Sequence, residues 1–163
     1  DKYCYQYASA LFAVKDFKAA LAVLNQKMDL SQDKAGWDMG VRVLHILSLI
    51  EQGMCDEASL CIHSFRKQTE RLSQKFNVNV RYTLVSKFLQ LLDAKGFVFA
   101  QLNGKATDIV QKLFSTEKPL RWEILSPELI PFHEWAAEKM KLPAPLRKLT
   151  PLPKEKVLVK VRA

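Results

Sequence analysis

Glycine is scarce in this chain, five among 163 residues. A loop that cradles a phosphate through its backbone needs glycines clustered at fixed spacing, and none can be assembled here. Cysteine is rarer still. Cys4, Cys55 and Cys61 are odd in number and form no CxxC pair, which argues against zinc ligand sets and disulfide frameworks and fits a reduced, cytoplasmic setting with three free thiols. Uninterrupted apolar runs are short: the best, residues 43–50, stops at eight and contains His45 and Ser48, far from the ~18 of a membrane span. No basic-then-apolar leader opens the chain. It begins at Asp1 rather than Met, which reads equally as a piece of something longer or as a complete protein freed of a tag.

Catalytic signatures are missing as well. There is no HExxH and no nucleophile elbow. His45 sits among Leu44, Ile46 and Leu47 and reads as a core or half-buried structural residue. His63 and Cys61 are two apart on one helix, so they diverge and cannot share a metal; adjacent His133 and Glu134 diverge too. The expectation is no enzyme, no cofactor and no metal.

What is present is helix. With 48% hydrophobic and 26% charged residues, the chain is ordinary for a globular protein, and its length suits one domain burying about two thirds of its unfolded surface. Residues 3–14 have helical spacing. Phe17, Ala20, Leu21, Leu24 and Met28 line one face of a second helix. Residues 31–34 are a linker with capping chemistry. A third helix spans residues 37–51 and ends at Gly53; a fourth, capped by Asp56, carries Ala58, Cys61, Ile62, Phe65 and Leu72; a fifth spans 79–95 and closes at Gly96. Residues 97–102 are ambiguous, rich in β-formers but short. A sixth helix covers 106–115. Beyond Pro119, a last helix starts at Ser126-Pro127-Glu128 or at Pro131, carries Phe132, Trp135, Ala136 and Met140, and stops near Pro143. Pro143, Pro145, Pro151 and Pro153 make the remainder extended, and residues 157–161 are the one strand-like stretch.

Charge is segregated. Residues 139–163 hold eight Lys or Arg against Glu155 alone, a net +7, while the preceding 138 residues are +1. Two regions are therefore expected: a helical body over 1–141 and a proline-rich basic extension over 142–163. A second basic set, Arg66, Lys67, Arg71, Lys75 and Arg81, invites a nucleic-acid reading, although Glu70 interrupts it and such runs are commonly the solvated face of a helix.

The first four helices repeat. At an offset of 38 residues, Ala8 falls on Ile46, Leu11 on Leu49, Phe17 on Cys55, Ala20 on Ala58 and Leu24 on Ile62. A small side chain at 20 and 58 suits a close helix crossing. Lys15-Asp16-Phe17-Lys18-Ala19-Ala20-Leu21 and Gly53-Met54-Cys55-Asp56-Glu57-Ala58 resemble the turn and second-helix opening of the tetratricopeptide repeat. That resemblance, over residues 3–72, implies an all-α array of antiparallel helix pairs, about six or seven helices in a right-handed superhelix with an extended C-terminal tail. It also implies a concave groove for peptides or protein surfaces, lined by Tyr5, Ser9 and Phe12, then Val43, Leu47 and Ile50. The second set is apolar, unlike the Lys- and Asn-rich clamp the family uses for a peptide carboxylate, so the chain's own C-terminal third is expected to cover the groove.

The function expected is a non-catalytic protein–protein interaction or architectural module, with a protein or peptide partner and no membrane. The alternative is a nucleic-acid-associated protein using its tail. The residues expected to meet a partner are Tyr5, Ser9 and Phe12 of the groove and Lys154, Lys156, Lys160 and Arg162 of the tail. The tail is expected to dock as far as Leu152.

Overall fold

Each of the predicted apolar stripes becomes a buried helix face. A computed structural model describes residues 2–26, 36–75, 80–123 and 126–143. Within them lie α1 (Lys2–Ala13), α2 (Phe17–Leu24), α3 (Trp37–Glu51), α4 (Cys55–Lys75), α5 (Val80–Asp93), α6 (Gly104–Leu113) and α7 (Phe132–Lys139). A short 3-10 turn, Phe99–Gln101, replaces the ambiguous β-rich stretch. No strand occurs among the described residues, and none of their helices is long and apolar enough to cross a membrane. The proposed strand at 157–161, the linker at 31–34 and the tail beyond Pro143 lie outside the described residues.

Successive helices pack on one another from α1 through α6, α6 also meets α7, and α1 touches α3 as well as α2. The turns that set these pairings are chemically simple. At the end of α1, Lys15 enters the left-handed region (φ 65°). Its N–H bonds to Phe12 O at 2.9 Å, and the next N–H, of Asp16, bonds to Leu11 O at 2.9 Å. At the end of α3, Gly53 (φ 73°) and Met54 make the same two bonds to Ile50 and Leu49, at 3.0 Å each. Gly96 ends α5 and Lys141 ends α7 in the same way. This pattern satisfies two carbonyls that a helix end otherwise leaves bare. Asp16 then caps α2 by accepting from Ala19 N–H at 3.1 Å, and Asn103 caps α6 by accepting from Lys105 N–H at 3.1 Å.

One reading of a helix start needs correction: Asp56 lies inside the first turn of α4, where its charge favours the positive helix end, rather than before it. Of the two starts open to the last helix, the later one holds: Pro131 is its N-cap, with extended backbone (ψ 102°), and Phe132 its first residue.

Ala20 and Ala58 are both fully buried, and Ala58 packs with Leu21 of α2 and Leu49 of α3. The buried hydroxyls Ser9, Ser48 and Thr69 each donate to the carbonyl four residues earlier, at 2.8, 2.8 and 2.9 Å, so they enter the core without an unmet bond. Because methyl groups fill the crossings, Ala20→Leu or Ala58→Leu should each overpack the core and lower unfolding free energy by about 1–3 kcal/mol. Urea denaturation checks this; an unchanged midpoint would mean the crossings have room to spare.

Candidate interaction surface and its cover

The groove residues named from the sequence are not open. Tyr5, Ser9, Phe12, Val43 and Leu47 are all buried, and Ile50 is half-buried. Ser9 has spent its hydroxyl on Tyr5 O. The expectation that Tyr5, Ser9 and Phe12 stand exposed to a partner is therefore corrected; of the three, only Phe12 still edges an open cleft. The cause is the segment before α7. Tyr5 Oη donates to Pro127 O at 2.6 Å and accepts from Leu129 N–H at 3.5 Å, and burial pushes the Tyr5 phenol far above its ordinary range. Glu128 and Ile130 close over Tyr5, Val43, Leu44 and Leu47, leaving a void of only about 10 Å³. The cover is thus the chain's own C-terminal third, as the apolar inner face implied.

Gly40 makes the fit possible. A Cβ there would strike the Pro127 carbonyl and lie 2.7 Å from the Tyr5 hydroxyl. A glycine inside a helix gives up roughly 0.5–1 kcal/mol relative to alanine, and at this position the missing side chain is what lets the cover lie flat.

The cover is fastened by one buried ion pair. Arg81 of α5 and Glu128 are 2% and 4% exposed. The guanidinium grips the carboxylate with two bonds, Nε to Oε2 at 2.9 Å and Nη2 to Oε1 at 2.8 Å. Its Nη1 donates to Leu113 O at 2.8 Å and to Leu120 O. Its Nη2 also reaches His133 Nδ1 at 3.2 Å. Arginine can only donate, so that ring nitrogen accepts. Glu128 Oε1 takes the Phe132 N–H at 3.0 Å, and Trp122 Nε1 donates to Glu128 O at 2.8 Å. At the other end of α7, Glu51 accepts from Trp135 Nε1 and from Lys139 Nζ, both at 2.7 Å.

Arg81 therefore does not belong to a basic surface. The basic set read from the sequence breaks up: Arg66 lies 3.6 Å from Glu70, Arg71 bonds Gln68, Lys67 is exposed, and the Lys75 side chain is outside the described residues. Lys154, Lys156, Lys160 and Arg162 are outside them too.

What stays open is a cleft of about 260 Å³ at the edge of the cover. Phe12, Phe17, Ile130, Pro131 and Trp135 form its apolar lining. Lys15, Glu51, Glu134, Glu138 and Lys139 supply the charges around it. Lys15 and Glu138 stand 3.8 Å apart and mostly in solvent, an arrangement worth little to stability.

One further grouping crosses elements. His45 Nδ1 lies 3.7 Å from Cys61 Sγ, and its Nε2 lies 3.0 Å from Asn25 Oδ1. Burial pushes the Cys61 thiol up and the His45 imidazole down. Both shifts favour the neutral pair, the opposite of the thiolate and imidazolium that a nucleophilic cysteine uses. None of the three cysteines is in a disulfide, and the described residues contain no cluster of three or more metal-ligating side chains. Compared with known proteins, the chain matches no family, no curated protein and no solved structure.

Two outcomes follow from the fastening. Gly40→Ala should lower stability by about 1–3 kcal/mol through the clash, whereas Gly104→Ala, with nothing near its Cβ, should be neutral or raise it by about 0.4–1 kcal/mol. Arg81→Met strands a buried carboxylate and should cost about 3–5 kcal/mol; replacing both partners, Arg81→Met with Glu128→Leu, should recover much of that. Denaturant melts of the four variants decide both points.

Proposed function

We propose that this chain is a non-catalytic protein-interaction or architectural module of the helix-pair, tetratricopeptide-like kind. Its inner face is closed by its own C-terminal segment, and its recognition element is the cleft between the α1–α2 turn and α7. The observation that carries the reading is that cleft: an aromatic and aliphatic lining with charged groups of both signs at the edge, beside a helix, α7, that Glu128 and Glu51 hold at its two ends. Such a site suits a peptide carrying one bulky apolar anchor between polar neighbours. The full burial of Ala20 and Ala58, 38 residues apart, supports the repeat kinship.

The charge of residues 139–163 favours a second reading, association with nucleic acid through the tail. With no aromatics to stack on bases, binding of that kind would be electrostatic and steeply salt-dependent.

The test is selection of a random peptide library on the full chain. Enriched peptides should share a bulky apolar residue and hold at elevated salt. They should lose affinity to Ala13→Trp, which fills the cleft from an exposed position that lines it. Peptides indifferent to that substitution, or retention that vanishes with salt and survives only on polyanions, would overturn the cleft reading.

A further inference from the structure

Past Lys2, the outward side of α1 is unusual for a surface helix because it carries no charge. Tyr3, Tyr7 and Val14 are 84%, 60% and 72% exposed, and Gln6 and Ala10 between them are exposed too. These residues recur at spacings of three and four, so they form one continuous stripe. Other exposed large apolar residues, such as Leu60 and Val98, stand singly, which is normal for a soluble surface.

The corresponding positions of α3 show what kind of face this is. Shifted by the 38-residue offset of the sequence, Tyr3, Gln6, Tyr7 and Ala10 fall on Val41, Leu44, His45 and Ser48 of α3. There the same positions are helix-packing ones. Leu44 and Ser48 are buried, Val41 packs against the core, and His45 bonds Asn25 at the end of α2. In α3 the face packs within the fold; in α1 no helix among the described residues covers it.

We propose that a second copy of this chain covers it, the two α1 helices packing antiparallel about a two-fold axis between Ala8 and Ser9. The stripe is complementary to its own image in that register. Tyr7 meets Ala10 of the second copy, Tyr3 meets Val14, and each bulky ring lies on a smaller side chain, twice over by symmetry. No carboxylate or ammonium within the stripe faces its own image. The flanking cations, Lys2 and Lys15, would face each other at the solvent-exposed rim, where salt screens their repulsion, and Lys2 sits 5.0 Å from the centre of the Trp37 ring. Stacking end to end is the less suitable geometry, because the outer face of α6 presents Lys105, Asp108, Gln111 and Lys112, all exposed. The association does not depend on the cleft taking a ligand.

Sedimentation velocity on the full chain, from low to several hundred micromolar, tests this. The expected result is a concentration-dependent dimer. Tyr7→Glu or Ala10→Glu, each at an exposed site, should leave the melt unchanged and weaken association by about tenfold or more. The double variant Tyr7→Lys with Ala10→Glu should restore it, since the ammonium introduced on each copy then faces the carboxylate introduced on the other. A chain that stays monomeric throughout would overturn the inference. So would a dimer indifferent to Tyr7→Glu, or a double variant no better than Ala10→Glu alone.

Discussion

The rest of the structure depends on how one guanidinium is satisfied. Burying an arginine costs several kcal/mol in lost hydration, and attraction to a single carboxylate repays that only when every remaining donor is met. Arg81 meets this condition through Glu128, the two carbonyls of Leu113 and Leu120, and His133. Those acceptors come from the C-terminus of α6, the loop after it, the segment before α7 and α7 itself. Four stretches of chain must therefore be in place at once. A neutral residue at 81 could fill the same volume without fixing any of them.

From that point the chain of constraints runs outward. Glu128, held by Arg81, also accepts the first N–H of α7, so the helix direction and the path of residues 126–131 are set together. That path brings Pro127 to Tyr5 and over Gly40, and brings Ile130 over Val43 and Leu47. Glu51 at the end of α3 then fixes α7 from its far side. The inner face of α1 and α3 is apolar because it is a core, with a strap as its lid. The open cleft exists only because the strap and α7 end where the α1–α2 turn begins, so its shape is dictated by the fastening.

Elements governed by local chemistry were legible in the sequence. The 3.6-residue stripe and the glycine at 53 located α3 to the residue, and Asp16 announced the start of α2. The left-handed position at Lys15 was not marked, because no glycine stands there and the turn is imposed by packing, with Phe12 and Phe17 edge to face at 5.0 Å. The burial of Tyr5 and Phe12 could be read only as far as noticing that their face was too apolar to remain bare. The Arg81–Glu128 pair was illegible for a different reason: the partners are 47 residues apart, and Arg81 sits near other basic residues that share none of its environment. Gly40 offered the one overlooked hint, since a glycine in the middle of a helix usually marks a close approach. The Cys61–His45–Asn25 row likewise joins three separate stretches of sequence, and the histidine nearest Cys61 in sequence, His63, diverges from it.

Two outward helix faces are finished differently, and solvation describes the difference. A helix face left to water is ordinarily polar, with its apolar stripe turned to the core. α6 has such a face, with charged and amide side chains at successive turns. α1 does not: past Lys2 its exposed residues are two tyrosines, a glutamine and two alanines, with Val14 just beyond its end. Tyrosine is the aromatic residue best suited to such a face, since its ring packs on an apolar neighbour while its hydroxyl stays hydrated. A helix built this way tolerates water and still gains by losing it, which is the character of a contact surface.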